Sequence, residues 1–137
     1  MRKLALSDEI LLSVDKPARY IGGELNSRDK RLEDVDIRFV MCFPDVYEIG
    51  MSHIGMQIIY DMLNKREDTF CERLFSPWVD LDKVLREKNI PLFSLESQEN
   101  VKDADILGIT LQYEMCYTNI LQVLELSQIP MYSKDRG

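Results

Sequence analysis

Two short segments of this chain concentrate side chains that could bind a cofactor or take part in chemistry. They are residues 44–53 and residues 112–117, and each follows an apolar run that predicts a β-strand. Open α/β sheets bind ligands beyond the carboxyl ends of their strands, and if the two strands are neighbours, the two loops face each other. The candidate cofactor-binding residues are Asp45, Tyr47, Glu48, Gly50, Ser52, His53, Gln112, Tyr113, Glu114 and Tyr117. No catalytic or metal-binding residue is assigned.

The first segment has some features of a phosphate-binding loop but lacks its defining residues. Gly50 gives the backbone freedom, and the N-terminus of the helix that follows could hold an anion. However, Gly55 is followed by Met56 and Gln57 instead of Lys and Ser or Thr, and the chain has no GxGxxG motif. A nucleoside triphosphate site is therefore not expected. A serine hydrolase is not supported either, because no GxSxG motif is present.

His53 is the only histidine of the chain, and a single histidine without a second nearby ligand cannot anchor zinc. Its simplest role is a residue at the start of a helix that donates a hydrogen bond. Cobalt ligation is the alternative, since cobalamin domains of this general fold carry a histidine in a DxHxxG motif after the first strand. The run MSHIGM at 51–56 lacks the aspartate, and its glycine is displaced by one position. Asp45 and Ser52 likewise suit turn or cap positions.

Strand and helix patterns alternate from residue 36 to residue 128, which is typical of a parallel sheet covered by helices. The predicted strands are 36–43, 70–75, 90–95 and 105–112, and the predicted helices are 4–13, 53–65, 77–88 and 117–128. We therefore predict a Rossmann-like or flavodoxin-like α/β fold with a mostly parallel sheet of about four strands. Residues 1–35 are expected to form an N-terminal helix and arm, and residues 36–137 the main domain.

Local signals refine these helices. Ser76 followed by Pro77 suits an N-cap and a first helical position. In the helix at 53–65, apolar side chains recur at helical spacing and predict its buried row. That row is Ile54, Ile58 and Met62, with Ile59 and Leu63 beside it. The corresponding stripe of the last helix is Tyr117, Ile120, Leu121 and Leu124.

Composition excludes several classes of function. The chain has 137 residues and a formal net charge of −7, with no basic patch for a nucleic acid backbone. No apolar stretch approaches the ~20 residues of a membrane span, and the N-terminus does not read as a signal peptide. Three cysteines, at positions 42, 71 and 116, have neither disulfide nor CxxC spacing. We therefore expect a cytoplasmic protein that binds neither nucleic acid nor membrane.

Five runs of residues, in the same order, resemble the N-terminal region of a group of bacterial radical S-adenosylmethionine (radical SAM) proteins. They are KPARYIGGE at 16–24, FPDVYEIGMSH at 43–53, CERLFSPW at 71–78, PLFSLES at 91–97, and LQYE at 111–114 with YTN at 117–119. The resemblance implies a cobalamin-binding-like domain that precedes a catalytic barrel, so cobalamin is a candidate cofactor. It also implies that the domain at 36–137 is incomplete and stops before the last strand of its sheet.

In such proteins the barrel carries a CxxxCxxC motif whose thiolates hold a [4Fe–4S] cluster, and S-adenosylmethionine completes the cluster and is cleaved to a radical. Cys42, Cys71 and Cys116 are too widely spaced to be that motif. The resemblance therefore implies that the cluster, S-adenosylmethionine and the catalytic residues belong to a downstream domain of the parent protein. The chain alone is not expected to be an enzyme.

Three hypotheses follow for the function. The chain is an accessory domain that covers the barrel and could hold cobalamin, or a cofactor-free module of the same parent that docks or recognises substrate. The third hypothesis is a stand-alone small binding domain of flavodoxin type. A sheet cut before its last strand would expose an unpaired edge, so a homodimer of the fragment is also predicted.

Overall fold

The computed structural model describes residues 3–136 and contains a three-stranded parallel sheet. Strand β1 (Ile37–Phe43) lies in the centre, between β2 (Thr69–Phe75) and β3 (Ile106–Ile109). Ile37 is opposite Thr69 on one side, and Phe39 is opposite Ile106 on the other. The predicted α/β class is confirmed, and the arrangement is consistent with a Rossmann-like or flavodoxin-like fold.

Six α-helices surround the sheet in the described part of the chain, and two of them are single turns. They are α1 (Asp8–Ser13), α2 (Ala18–Ile21), α3 (Tyr47–Gly50), α4 (Ile54–Asn64), α5 (Val79–Lys88) and α6 (Tyr117–Leu126). Short 3-10 turns lie at Leu32–Asp34, Val101–Asp103, Glu114–Cys116 and Ser133–Asp135. Between residues 3 and 136, none of the helices has the length and apolar character that crossing a membrane requires.

Strand β1 divides the core into two layers, because successive side chains of a strand point to opposite faces of the sheet. Val40 and Cys42 pack in one layer with residues of α1, α5 and α6. Met41 and Phe43 pack in the other layer with residues of α4. A strand covered on both faces requires apolar residues at successive positions, which explains the nearly continuous apolar run of β1.

The predicted strand at 90–95 does not form. Residues of this segment lie beside the outer edge of β2 and make a single antiparallel bridge, between Phe93 and Asn100. The reason is that a side chain takes the place of a strand partner. The backbone N–H of Arg73 donates to Glu96 Oε2 at 2.6 Å, while Arg73 O accepts from the backbone N–H of Leu95 at 3.0 Å.

The remaining outer edge of β2 is also closed by side chains. The Asn64 amide donates to Cys71 O at 2.9 Å and accepts from Cys71 N–H at 3.0 Å, so it imitates a neighbouring strand. Lys30 Nζ donates to Thr69 O at 2.6 Å. This edge is therefore protected against pairing with another chain, whereas β3 has no strand on its outer side within residues 3–136. The predicted homodimer stays a prediction.

The Asn64 contact also sets the rotation of α4, and it corrects the predicted buried row. With Asn64 held against β2, the residues that share its face, Met56 and Tyr60, are the buried ones. The predicted row is exposed instead, with Ile54 at 72%, Ile58 at 60% and Met62 at 58% exposure. Ile59 and Leu63, predicted beside that row, are half-buried against the core. The apolar stripe alone could not reveal this, because the anchor of the helix is a polar residue.

Two further helix predictions are corrected. Helix α5 begins at Val79 with Trp78 as its N-cap, since the backbone N–H of Ser76 donates to Asp45 O at 2.9 Å and keeps residue 76 outside the helix. In α6 the predicted stripe is only partly buried: Leu124 lies in the core, whereas Tyr117 and Leu121 are 54% and 52% exposed.

Strand β2 carries two buried ion pairs, one on each face of the sheet. Glu72 is completely buried and its Oε2 accepts from Arg38 Nε at 2.5 Å; its Oε1 accepts from Ser94 Oγ and from Ser97 N–H. Arg73 Nε donates to Glu96 Oε1 at 2.5 Å. Both pairs fasten the segment after α5 to the edge of the sheet, because each includes or contacts a residue between 94 and 97.

The Glu72 pair gives a stability prediction. In Glu72→Gln the Arg38 guanidinium stays buried without its compensating charge, so we expect a loss of about 3–5 kcal/mol in the free energy of unfolding. The matched control is Glu33→Gln, because Glu33 pairs with Arg31 at the surface, where both side chains are more than 70% exposed. That change should cost about 0–1 kcal/mol. Urea unfolding measures both, and equal losses would contradict the role assigned to Glu72.

Candidate functional site

The structure brings the two predicted site loops together at the carboxyl ends of β1 and β3. Tyr113 Oη donates to Asp45 Oδ2 at 2.6 Å, and Asn119 Nδ2 donates to Pro44 O at 2.9 Å. This is the switch point of the sheet, because β1 and β3 are neighbours while the helices that follow them, α4 and α6, cover opposite faces. We call the joined loops, residues 44–46 and 110–117, the switch-point face.

The hydrogen-bonded pair of Asp45 and Tyr113 has a structural role and is not arranged for acid–base chemistry. Asp45 Oδ1 accepts from the backbone N–H of Val46 at 2.7 Å, so both carboxylate oxygens are engaged. The hydrogen bond to Asp45 raises the pKa of the Tyr113 phenol, which therefore remains a hydrogen-bond donor at neutral pH. The pair holds the loop after β3 in place.

Tyr47 and Glu48 point away from the switch-point face and hold the N-terminal arm. Tyr47 Oη donates to Glu24 Oε1 at 2.6 Å, and burial raises the pKa of Tyr47 to about 12. Glu48 pairs with Arg19 at 2.9 Å and with Lys16 at 3.2 Å. The hydrogen bond from Arg19 lowers the pKa of Glu48 to about 2. These two candidates therefore have structural partners within the chain.

Gly50, Ser52 and His53 form the turn that leads into α4. Gly50 is buried against the ring of Phe75, and a side chain at this position would collide with that ring. Ser52 Oγ donates to Glu48 O at 3.0 Å. Glycine is therefore required here for close packing, because there is no room for a side chain beside Phe75.

His53 is the N-cap of α4, and its Nδ1 accepts from the backbone N–H of Met56 at 3.1 Å. His53 therefore lies at the start of the helix, as predicted, but its ring accepts a hydrogen bond there instead of donating one. The ring centre lies 5.0 Å from that of Phe43, which fixes the orientation of the imidazole. Within residues 3–136, Nε2 has no hydrogen-bond partner.

The other candidates lie on the exposed part of the switch-point face. The Gln112 amide donates to Thr110 Oγ1, Glu114 begins a 3-10 turn, and Tyr117 begins α6. They belong to a larger surface that sequence reasoning missed. Its exposed side chains, which we call the α6 apolar face, are Leu111, Tyr113, Met115, Tyr117 and Leu121, with exposures between 41% and 78%.

Two further features were not predicted from the sequence: the buried charges of β2 and a cleft beside α4. A signal for the charges was present, since Glu72 and Arg73 interrupt an otherwise apolar strand, and a charged residue inside a buried strand requires a partner. One wall of the cleft is the arm, whose sequence has no helix or strand periodicity. No local sequence pattern therefore predicted the cleft.

The described residues 3–136 contain no group of three or more His, Cys, Asp or Glu side chains placed to hold a metal ion. The cysteines at 42, 71 and 116 are buried free thiols. Burial raises the pKa of Cys71 to about 12, so its thiol is not a nucleophile at neutral pH.

The cap formed by His53 can be tested by a pair of substitutions. His53→Ala leaves the backbone N–H of Met56 without its acceptor and should cost about 0.5–2 kcal/mol in the free energy of unfolding. His53→Asn supplies another capping acceptor and should stay close to the parent chain in stability. Thermal unfolding followed by circular dichroism measures both, and an Asn variant as unstable as the Ala variant would contradict the capping role.

Comparison with known proteins supplies the family. No curated protein and no solved structure matches the chain. A family model described as "Radical SAM proteins, N-terminal" matches residues 55–137, which is more than half of the chain and includes β2, β3 and α6. The chain therefore belongs to the radical SAM proteins, and its matched part corresponds to their N-terminal region.

Proposed function

We propose that this chain is an accessory domain that docks through the α6 apolar face onto the catalytic barrel of its parent radical SAM protein. Family membership supports the presence of such a barrel in the parent. The single observation that carries the docking role is the position of this exposed face directly after β3, whose outer edge has no strand within residues 3–136. Contiguous exposed apolar surface marks interaction sites, and aromatic residues and Met are enriched in protein interfaces.

The α6 apolar face is suited to docking because the loop beneath it is held in place before a partner arrives. The hydrogen bond from Tyr113 to Asp45 joins the loop after β3 to the loop after β1, and the hydrogen bond from Asn119 to Pro44 joins α6 to the same loop. Ordering a flexible loop opposes association, so a loop that is already fixed loses less conformational entropy on binding. Met115, at 78% exposure, provides an adaptable side chain on this surface.

The chemistry of the parent lies outside this domain in our proposal. A barrel that binds a [4Fe–4S] cluster and S-adenosylmethionine would supply the radical, and the domain would limit access to it. The buried and widely separated cysteines of this chain support that division of roles. A cofactor-free domain of this kind could also help to recognise a substrate, because it would lie at the entrance of the barrel.

A second candidate function is that the domain holds cobalamin at the switch point. His53 supports it, because the cap and the contact with Phe43 fix the imidazole while Nε2 is left without a partner in the described chain. His53 would then be the residue that meets the cobalt, and Tyr113 and Tyr117 lie on the neighbouring exposed loop. Bound cobalamin would supply a cobalt centre for group transfer.

The docking proposal predicts the effect of changing the α6 apolar face. We expect the double substitution Tyr117→Ser with Leu121→Ser to weaken binding of this chain to the separately expressed remainder of the parent by at least about tenfold, since apolar contact area is lost. The matched control is Ile54→Ser with Ile58→Ser, which changes equally exposed apolar residues on α4. Surface plasmon resonance measures both.

Two results would contradict docking through this face. One is an equal loss of affinity in the α4 control. The other is a parent reading frame that stops after residue 137, since no barrel would then be attached.

The cobalamin proposal is tested on the complete parent protein with hydroxocobalamin as the probe. We expect tight binding with a shift in the visible spectrum, and we expect the shift to be lost in His53→Asn. That substitution keeps a capping acceptor at the start of α4, so a loss would report on the ligand and not on folding. Absence of binding to the parent, or an unchanged spectrum in the variant, would contradict cobalt ligation by His53.

A further inference from the structure

We propose that a cleft beside α4 binds small neutral carboxamides with an apolar body. The cleft has a volume of about 750 Å³ and lies between the arm, α4 and the carboxyl end of β2. This volume is within the range of small-molecule sites. Its main lining residues are Met51, Met56, Gln57, Tyr60, Arg73 and Phe75. The inference is independent of the docking role, because the α6 apolar face contributes none of these residues.

The charges of the cleft wall favour a neutral ligand. Arg28 Nη2 lies 3.2 Å from Asp61 Oδ1, and Arg73 Nη2 lies 2.7 Å from Glu24 Oε2. All four of these residues line the cleft, so each cation of the wall already has a carboxylate partner in the same wall. A charged ligand would have to compete with one of these pairs, whereas a neutral ligand leaves both intact.

Arg73 provides a hydrogen-bond donor whose present acceptor is weak. Its side chain is only 8% exposed, and Nε and Nη2 are engaged with Glu96 and Glu24. Nη1, in contrast, donates to the thioether sulfur of Met51 at 3.1 Å. A thioether is a poor acceptor, so a carbonyl oxygen of a ligand in the cleft would be a better partner for this nitrogen.

Gln57 provides the complementary acceptor next to the same methionine. Its Nε2 donates to Met51 O at 2.5 Å, which assigns the amide orientation, and Oε1 has no partner within residues 3–136. A ligand N–H could therefore be accepted by Gln57 while the ligand carbonyl accepts from Arg73. One donor and one acceptor, both in contact with Met51, match the carbonyl and N–H of a carboxamide.

The rest of the wall is apolar and suits the body of such a ligand. Met51, Met56 and Phe75 supply it, together with the ring of Tyr60. Methionine side chains are flexible and polarisable, so they can repack around ligands of different shape. The arm that borders the cleft is fixed at Arg28, whose backbone N–H donates to Tyr60 Oη at 2.7 Å, so the cleft exists before a ligand enters.

The test uses the 137-residue chain labelled with ¹³C at its methionine methyl groups and titrated with N-acetyl-L-phenylalaninamide. We expect saturable NMR shifts of Met51 and Met56 with a Kd of about 1 mM, the affinity that a ligand of this size supports. Met62 and Met115, exposed outside the cleft, should not shift. N-acetyl-L-phenylalanine, which carries a carboxylate in place of the terminal primary amide, should bind several-fold more weakly, because its charge competes with the ion pairs of the cleft wall.

Substitution of Gln57 separates amide recognition from general apolar binding. Gln57→Met removes the acceptor at an exposed position. It should weaken N-acetyl-L-phenylalaninamide binding by up to about tenfold, because one hydrogen bond between the protein and the ligand is lost. Gln112→Met makes the same change on the switch-point face and should leave the affinity unchanged. No saturable shift of Met51 and Met56, equal affinity for amide and carboxylate, or full affinity in Gln57→Met would each overturn the proposal.

Discussion

The architecture of this domain depends on two buried ion pairs that strand β2 carries on opposite faces of the sheet. Arg38 with Glu72 and Arg73 with Glu96 are both almost fully removed from solvent. Burying charges is unfavourable unless each one is paired and hydrogen-bonded. Ser94, Ser97 and the carbonyls of Glu99 and Asn100 complete the first pair, so the segment between α5 and β3 is attached to the edge of the sheet. We infer that these pairs specify the arrangement of the sheet edge.

That constraint makes the two edges of the sheet unequal. At β2 the polar backbone groups are satisfied by Asn64, Glu96 and Lys30, and no further strand can pair there. At β3 no strand lies on the outer side in the part of the chain that the structure describes. The exposed aromatic and apolar side chains of the α6 apolar face follow directly after that strand. The unpaired edge of β3 and the proposed docking face are therefore next to each other in the chain.

The α/β class, the three strands that form and the position of each site loop after a strand could be predicted from the sequence, whereas the sequence left open whether the strands before the two loops are neighbours. Periodicity and turn residues are local signals, and strand alternation restricts the topology. The buried face of α4 could not be predicted, because it is decided by a long-range contact of Asn64 with β2. The segment at 90–95 was wrong for a related reason, since a glutamate side chain replaces a strand partner there.

The same contrast between local signals and long-range contacts applies to the candidate site. The two loops follow β1 and β3 as predicted, but the contacts of Tyr47, Glu48 and Gly50 are with residues far away in the chain. These partners are Glu24, Arg19 and Phe75. No local pattern identifies such partners. The cleft beside α4 was even less predictable from the sequence, because the arm that forms one of its walls has no helix or strand periodicity.

Hydrogen–deuterium exchange on the complete parent protein and on the 137-residue chain, compared peptide by peptide, tests the central claim most directly. If the domain docks through the α6 apolar face, backbone amides at 111–121 will exchange more slowly in the parent, while those of the exposed face of α4 will exchange equally in both. Equal exchange at 111–121 in the two proteins would contradict the account.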